Sequence, residues 1–153
     1  MRGWELLARL ISLHIWGKIM AISKGYKALL EEAMQQIKTM PLEEARELYE
    51  LSEACFIDIR DIRELERDGM IPEAVHAPRG MLEFWVDPDS PYYRDVFGQS
   101  GPFILYCQSA WRSALATLTL QQMGMENVCH LEGGFKNWMG AGLPIAEKRA
   151  VNH

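Results

Sequence analysis

Phe103-Ile104-Leu105-Tyr106-Cys107-Gln108-Ser109-Ala110-Trp111-Arg112-Ser113-Ala114-Leu115 is the stretch whose reading decides the fold. Four apolar or aromatic residues in succession predict a short buried strand, and Ala114 to Leu118 opens a helical pattern. Cys107 falls where the strand turns into the helix. Backbone N–H groups there have no intrahelical partner, and the positive end of the helix dipole lies close by. Both favour a thiolate over a thiol, which makes Cys107 a candidate nucleophile. If Gln108 to Arg112 curl around the sulfur, their successive N–H groups form an anion nest. Arg112 adds a permanent positive charge, and Ser113 is placed to bond back to the loop or to cap the helix.

Outward from this stretch, strand-like and helix-like patterns alternate. Helical stripes are expected from Tyr26 to Ile37 and from Pro41, with Glu43 and Glu44 in its first turn, to about Leu51. Cys55 to Ile59 reads as a strand, Ile62 to Arg67 as a short helix and Val75 to Ala77 as a strand. Short helical segments are expected at Met81 to Val86 and Tyr92 to Phe97. After the helix from Ser113 to about Met123 come a strand at Val128 to His130 and a helix from Phe135 to Met139. This order predicts an α/β layer fold, a central mostly parallel sheet flanked by helices. Ligands of such sheets bind at the carboxyl ends of the strands, which is where Cys107 lies.

At 153 residues the chain suits one domain with a sizeable core. A net charge of −5 and the lack of a basic run argue against a nucleic-acid partner. Three cysteines at irregular spacing form neither a disulfide framework nor a zinc pattern, so no metal or other cofactor is expected. A reducing compartment, the cytoplasm, fits best. The most apolar run, Leu6 to Ile22, is broken by Arg9, His14 and Lys18, so it predicts no transmembrane segment, and it lacks a signal-peptide cleavage site. Trp4, Leu7, Ile11 and Ile15 recur at helical spacing. That stripe suits an interfacial or partner-binding helix, or a helix packed on its own domain or on a twin subunit as a homodimer. Met20 is an alternative natural start.

Three motifs in order resemble the rhodanese-like sulfurtransferases over about Thr39 to Ile145. The first is Phe56-Ile57-Asp58-Ile59-Arg60 with Glu64 and Gly69 to Gly80, the second the Cys107 loop. The third is Met123 to Trp138 with Gly142-Leu143-Pro144. The resemblance implies a rhodanese-like three-layer sandwich at residues 39–147, after an N-terminal helical extension at 1–38 and before a C-terminal tail at 148–153. It implies a single-domain sulfurtransferase without cofactor. Cys107 would be the catalytic persulfide carrier, and Gln108, Ser109, Ala110, Trp111, Arg112 and Ser113 the substrate-binding loop. A sulfane sulfur would pass from thiosulfate or a persulfide donor, small molecule or protein, to cyanide or a thiol. Sulfite is a stable leaving group, so neither His76 nor His130 is needed as a base. Some members of the family are instead non-catalytic binding or regulatory modules.

Loop length separates the nearest rivals. Phosphatases and arsenate reductases of similar fold place five residues between cysteine and arginine, whereas four separate Cys107 from Arg112. Ala110 stands where the family often has glycine; if the position needs positive φ, alanine costs about 1 kcal/mol. Trp111 is bulky where small residues are common, and would wall or cover the pocket. Asp58 and Arg60 are expected to form a structural ion pair. Cys55, Cys129, Phe135, Trp138 and Leu143 read as core, and the glutamates of the two N-terminal helices as a solvated face. Arg79, Trp85 and Tyr92 suit either the pocket rim or packing.

Overall fold

The computed structural model of the chain describes residues 2–19 and 21–149, the side chains of residues 13–19 excepted. The Ile15 side chain, Met20 and the last four residues of the expected tail lie outside the described residues. In chain order the helices are α1 (Gly3–Ile19), α2 (Tyr26–Gln36), α3 (Leu42–Glu50), α4 (Ile62–Asp68), α5 (Leu82–Val86), α6 (Trp111–Gln122) and α7 (Gly134–Gly140). The strands are β1 (Thr39–Met40), β2 (Cys55–Asp58), β3 (Val75–His76), β4 (Phe103–Tyr106) and β5 (Val128–Leu131). They form one sheet in the order β1-β5-β4-β2-β3, with every neighbouring pair parallel.

The uninterrupted apolar run of β4 follows from its place in the middle of a sheet covered on both faces. Phe103 and Leu105 point to one side, where they meet Ile57, Val128, Leu82 of α5 and Ala116 and Leu120 of α6. Ile104 and Tyr106 point to the other, against Phe56, Leu131, Ala45 of α3 and Phe135 and Trp138 of α7. The expected three-layer α/β sandwich is therefore the observed one. Because β2 leads outward to β3 while β4 leads the opposite way to β5, a crevice opens above the carboxyl ends of β2 and β4. Cys107 is the first residue beyond β4.

Three local details differ from the sequence reading. β1 was not foreseen; it is two residues long and is held by parallel pairing with His130 and Leu131 of β5. The helical turn expected over Tyr92 to Phe97 is a 3-10 turn at Asp95–Gly98. The helix after the Cys107 loop starts at Trp111, two residues before Ser113.

The region before β1 divides in two. α2 packs on α6, with Ala33 fully buried and Gln121 Nε2 donating to the Gln36 carbonyl at 3.0 Å. On α1, by contrast, Trp4, Leu6, Leu7, Leu10 and Ile11 are 51–65% exposed. Among the described residues no helix is long and apolar enough to cross a membrane.

Candidate active site

Cys107 sits at the bottom of the loop between β4 and α6 and is 1% exposed. Two contacts fix the outer side of this loop. Phe135 N donates to the Cys107 carbonyl at 2.8 Å, and Lys136 N to the Gln108 carbonyl at 3.0 Å. This approach demands Gly134. Its φ is +64°, and a Cβ there would lie 2.7 Å from the Cys107 carbonyl oxygen and 2.8 Å from that of Gln108. With the carbonyls turned toward α7, the loop's donors remain. Among the described residues, no protein acceptor takes the N–H groups of Gln108, Ser109, Ala110, Trp111 or Arg112. Five successive unpaired donors beside a sulfur, at the start of a 12-residue helix, are suited to bind an anion.

Ala110 adopts φ +71°, ψ −1°, so the position does require the left-handed conformation that glycine takes more cheaply. Ser113 bonds back to the loop instead of capping the helix. Its Oγ lies 3.6 Å from Cys107 Sγ and 3.3 Å from His130 Nδ1. Trp111 is 58% exposed, and its ring packs on Tyr26 of α2 with centroids 5.3 Å apart. Ser109, Ala110 and Trp111 form one wall of an apolar cleft of about 500 Å³. Leu30 and Met34 of α2 form the other, and Thr39 and the buried His130 complete the lining. Arg79, Trp85 and Tyr92 do not line that cleft. Arg79 pairs with Glu83, and Arg94 stacks on Trp85.

Two arginines brace the loop. Arg112 makes a bidentate pair with Glu64 of α4, at 2.7 and 2.8 Å. Glu64 holds the Arg112 guanidinium above its ordinary value, with the neighbouring Cys107 a smaller contributor. The hydrogen bond from Arg112 in turn holds the Glu64 carboxyl below its ordinary range. Glu64 also closes a capping box with Asp61 that starts α4. Arg60 is fully buried against Asp58, at 2.7 Å, and reaches the Gln108 side chain at 3.2 Å. The Asp58–Arg60 ion pair is thus observed as expected. Cys55 and Cys129 lie in strands, and burial pushes both thiols up, Cys129 to about 11.

Sequence reasoning missed Glu64 as the partner of Arg112, although its spacing from Asp61 carried a capping-box signal. It also missed Thr39 and the part of α2 that walls the cleft. Nothing local in the sequence marks a contact between residues 91 apart, as Thr39 and His130 are.

A parallel sheet carrying a cysteine at the carboxyl end of its middle strand, followed by free N–H groups and an arginine, defines the class as α/β domains with a cysteine loop between a central strand and a helix. Within that class, the rhodanese-like domain family model matches residues 42–141, and the chain belongs to this family. A solved Rhodopseudomonas palustris protein, described as of unknown function and a possible tyrosine phosphatase, is 46% identical with a TM-score of 0.80, covering 83% of this chain and 98% of that one. The polysulfide-sulfur transferase homodimer of Wolinella succinogenes is 28% identical with a TM-score of 0.59, covering 84% and 91%. Chloroplastic thiosulfate sulfurtransferase 16 of Arabidopsis thaliana is 34% identical over 95 residues, 58% of this chain and 77% of that protein. Matches to curated relatives span from 26% to 96% of their length.

Two substitutions test the braces. Ala110→Gly relieves the left-handed strain at the cost of a more flexible unfolded chain, and should stabilise by about 0.5–1 kcal/mol. A higher urea midpoint with unchanged slope is the expected result. For Glu64 the folded carboxyl lies below the ordinary 4.5, so its contribution is present above that value and is lost as pH falls through the depressed one. The stability gap between wild type and Glu64→Gln should therefore be constant near neutrality and close on acidification below about pH 4.5, as read by denaturation across pH.

Proposed function

We propose that this chain is a sulfurtransferase that carries sulfane sulfur as a persulfide on Cys107. The observation that carries this reading is the loop itself. Five successive N–H groups of the loop after Cys107 lack a protein acceptor and Arg112 adjoins the sulfur, with four residues between cysteine and arginine. In the first half-reaction the Cys107 thiolate attacks the outer sulfur of thiosulfate. A Cys–S–S⁻ bond forms, the S–S bond of the donor breaks, and sulfite leaves with the electron pair. In the second, cyanide or a thiolate takes the outer sulfur, and Cys107 leaves as thiolate. The enzyme-bound persulfide is anionic in between, and the nest of N–H groups together with Arg112 is suited to hold that charge. An S–S bond of about 2 Å also carries the reactive sulfur outward from the buried Cys107 position.

The relatives' names support the chemistry at the level of the family, and their donors differ. Polysulfide or persulfide donors therefore stand beside thiosulfate. The phosphatase description of the Rhodopseudomonas palustris protein is disfavoured for this chain by the four-residue spacing, since a tighter loop leaves less room for a tetrahedral phosphoryl group. The three cysteines are free thiols, which suits a reducing cytoplasm. The exposed apolar residues of α1 support assembly as a homodimer through the N-terminal region.

Intact mass after incubation with thiosulfate, or with glutathione persulfide, should rise by one sulfur atom in the wild type and not in Cys107→Ser, and cyanide should remove it. No gain with either donor would leave the domain a binding module. For the assembly, Leu7→Glu with Ile11→Glu should halve the mass seen by light scattering, and an unchanged dimer mass would place the interface elsewhere.

A further inference from the structure

His130 is buried, lies on the same face of the sheet as Cys107, and is not used by the double displacement. Its ring joins two hydroxyls. Ser113 Oγ stands 3.3 Å from Nδ1, and Thr39 Oγ1 2.8 Å from Nε2. Ser113 Oγ is in turn 3.6 Å from Cys107 Sγ. The chain of groups therefore runs from a 1% exposed sulfur, across α6 and β5, to Thr39 of β1, which is only part-buried. Thr39 and His130 both face the cleft under α2.

We propose that Ser113, His130 and Thr39 form a hydrogen-bond wire that carries the Cys107 proton to the cleft and leaves every donor pointing at the sulfur. The proposal rests on Cys107 being the working thiol. Each ring nitrogen of a neutral histidine has a different role, and its neighbours select the tautomer. With Cys107 protonated, S–H donates to Ser113 Oγ, the Ser113 hydroxyl donates to Nδ1, and Nε2–H donates to Thr39 Oγ1. On ionisation the sulfur's proton passes to Ser113 Oγ while the Ser113 proton passes to Nδ1. The Nε2 proton passes to Thr39, whose own proton goes to water in the cleft. One proton is released and the thiolate keeps the charge. The product state has Thr39 donating to Nε2, Nδ1–H donating to Ser113, and Ser113 donating to the thiolate. The transfer therefore produces the arrangement that best stabilises its product, because aligned hydrogen bonds polarise one another.

The ring itself stays neutral throughout. Burial pushes His130 down to about 4, so at higher pH it can change tautomer but not charge. The charged groups around Cys107 are Arg112 with Glu64, and the Asp58–Arg60 pair that reaches the loop through Gln108. Glu132 lines the cleft beyond His130. None of these lies between the sulfur and the ring. His130 and Thr39 are thus positioning residues, acting on the sulfur through Ser113.

The test follows the His130 tautomer in the full-length protein. Protein labelled with ¹⁵N-histidine is titrated by NMR, with the ultraviolet thiolate absorbance recorded in parallel. The His130 signals are assigned by their loss in His130→Asn. The expected result is Nε2–H while Cys107 is a thiol and Nδ1–H once it is a thiolate, with both signals changing at one midpoint. Cys107→Ser, which keeps a neutral hydroxyl there, should hold Nε2–H throughout, and Ser113→Ala should uncouple ring from sulfur. The same tautomer in alkaline wild type and in Cys107→Ser, or a switch that persists in Cys107→Ser, would overturn the proposal. Neither outcome depends on sulfur transfer, which the mass measurement decides separately.

Discussion

The fully buried guanidinium of Arg60 is the contact on which the rest of the site depends. Removing a charge from water costs several kcal/mol, and the cost is tolerated only when partners satisfy the buried group. Here Nε and Nη2 meet both Asp58 oxygens, Nη2 also reaches the Gly69 carbonyl at 2.7 Å, and Nη1 reaches Gln108. The flat face lies over the Phe135 ring, 4.2 Å from its centroid. Burial pulls this guanidinium down, but bonding to Asp58 and its charge outweigh that and hold it above its ordinary value. One side chain thereby adjoins the end of β2, the end of α4, the Cys107 loop and the start of α7. Lysine would supply the charge, but not a planar fork able to serve Asp58, a carbonyl and Gln108 at once.

What this clamp holds is an orientation of the backbone. α7 takes the Cys107 and Gln108 carbonyls on one side, and the same peptide units leave their N–H groups for the other. The left-handed turn at Ala110 then lets α6 begin immediately, so its dipole adds to the nest. The strain at Ala110 is local, while the anchoring at Arg60 and Gly134 is spread across three elements, and so the loop can keep a conformation that an isolated peptide would abandon. Arg112 is treated differently from Arg60. It is half-exposed, and Glu64 holds it in place at the rim, where a charge costs little and remains available to an anion.

Wherever burial wrote a pattern into consecutive residues, the sequence was readable. β4 announced itself because both its faces are covered, and the Cys107 loop because a cysteine, a strand end and a helix start coincide. Asp58 and Arg60 were legible as a structural pair through the resemblance of their motif to the family's, and the chain brings them together at the end of β2. Where the pattern depends on distant partners it was silent. β1 is too short for periodicity and exists only because β5 offers it an edge. Ser113 left a bond back to the loop and a helix cap both open, because local spacing allows either; the structure shows the first, and its second partner is a histidine on the next strand. Trp111 read as a pocket wall, which the cleft supports, but Tyr26 as the ring against it lay 85 positions upstream.

That last contact bears on how the N-terminal region relates to the chemistry. α2 lies outside the stretch matched by the family, yet it buries Ala33 against the domain and closes one side of the cleft beside the loop. The mouth of the site on this side is therefore built in part by residues outside the stretch that the family model matches. An apolar wall of Leu30, Met34 and Trp111 offers a small inorganic anion nothing that the N–H nest does not already supply. It does offer surface to the organic part of a thiol, where about 25 cal/mol is gained per Å² of apolar area removed from water. On the proposed reading, the loop would stabilise sulfur's charge for any donor, while α2 and Trp111 would discriminate among the molecules that bring or remove it.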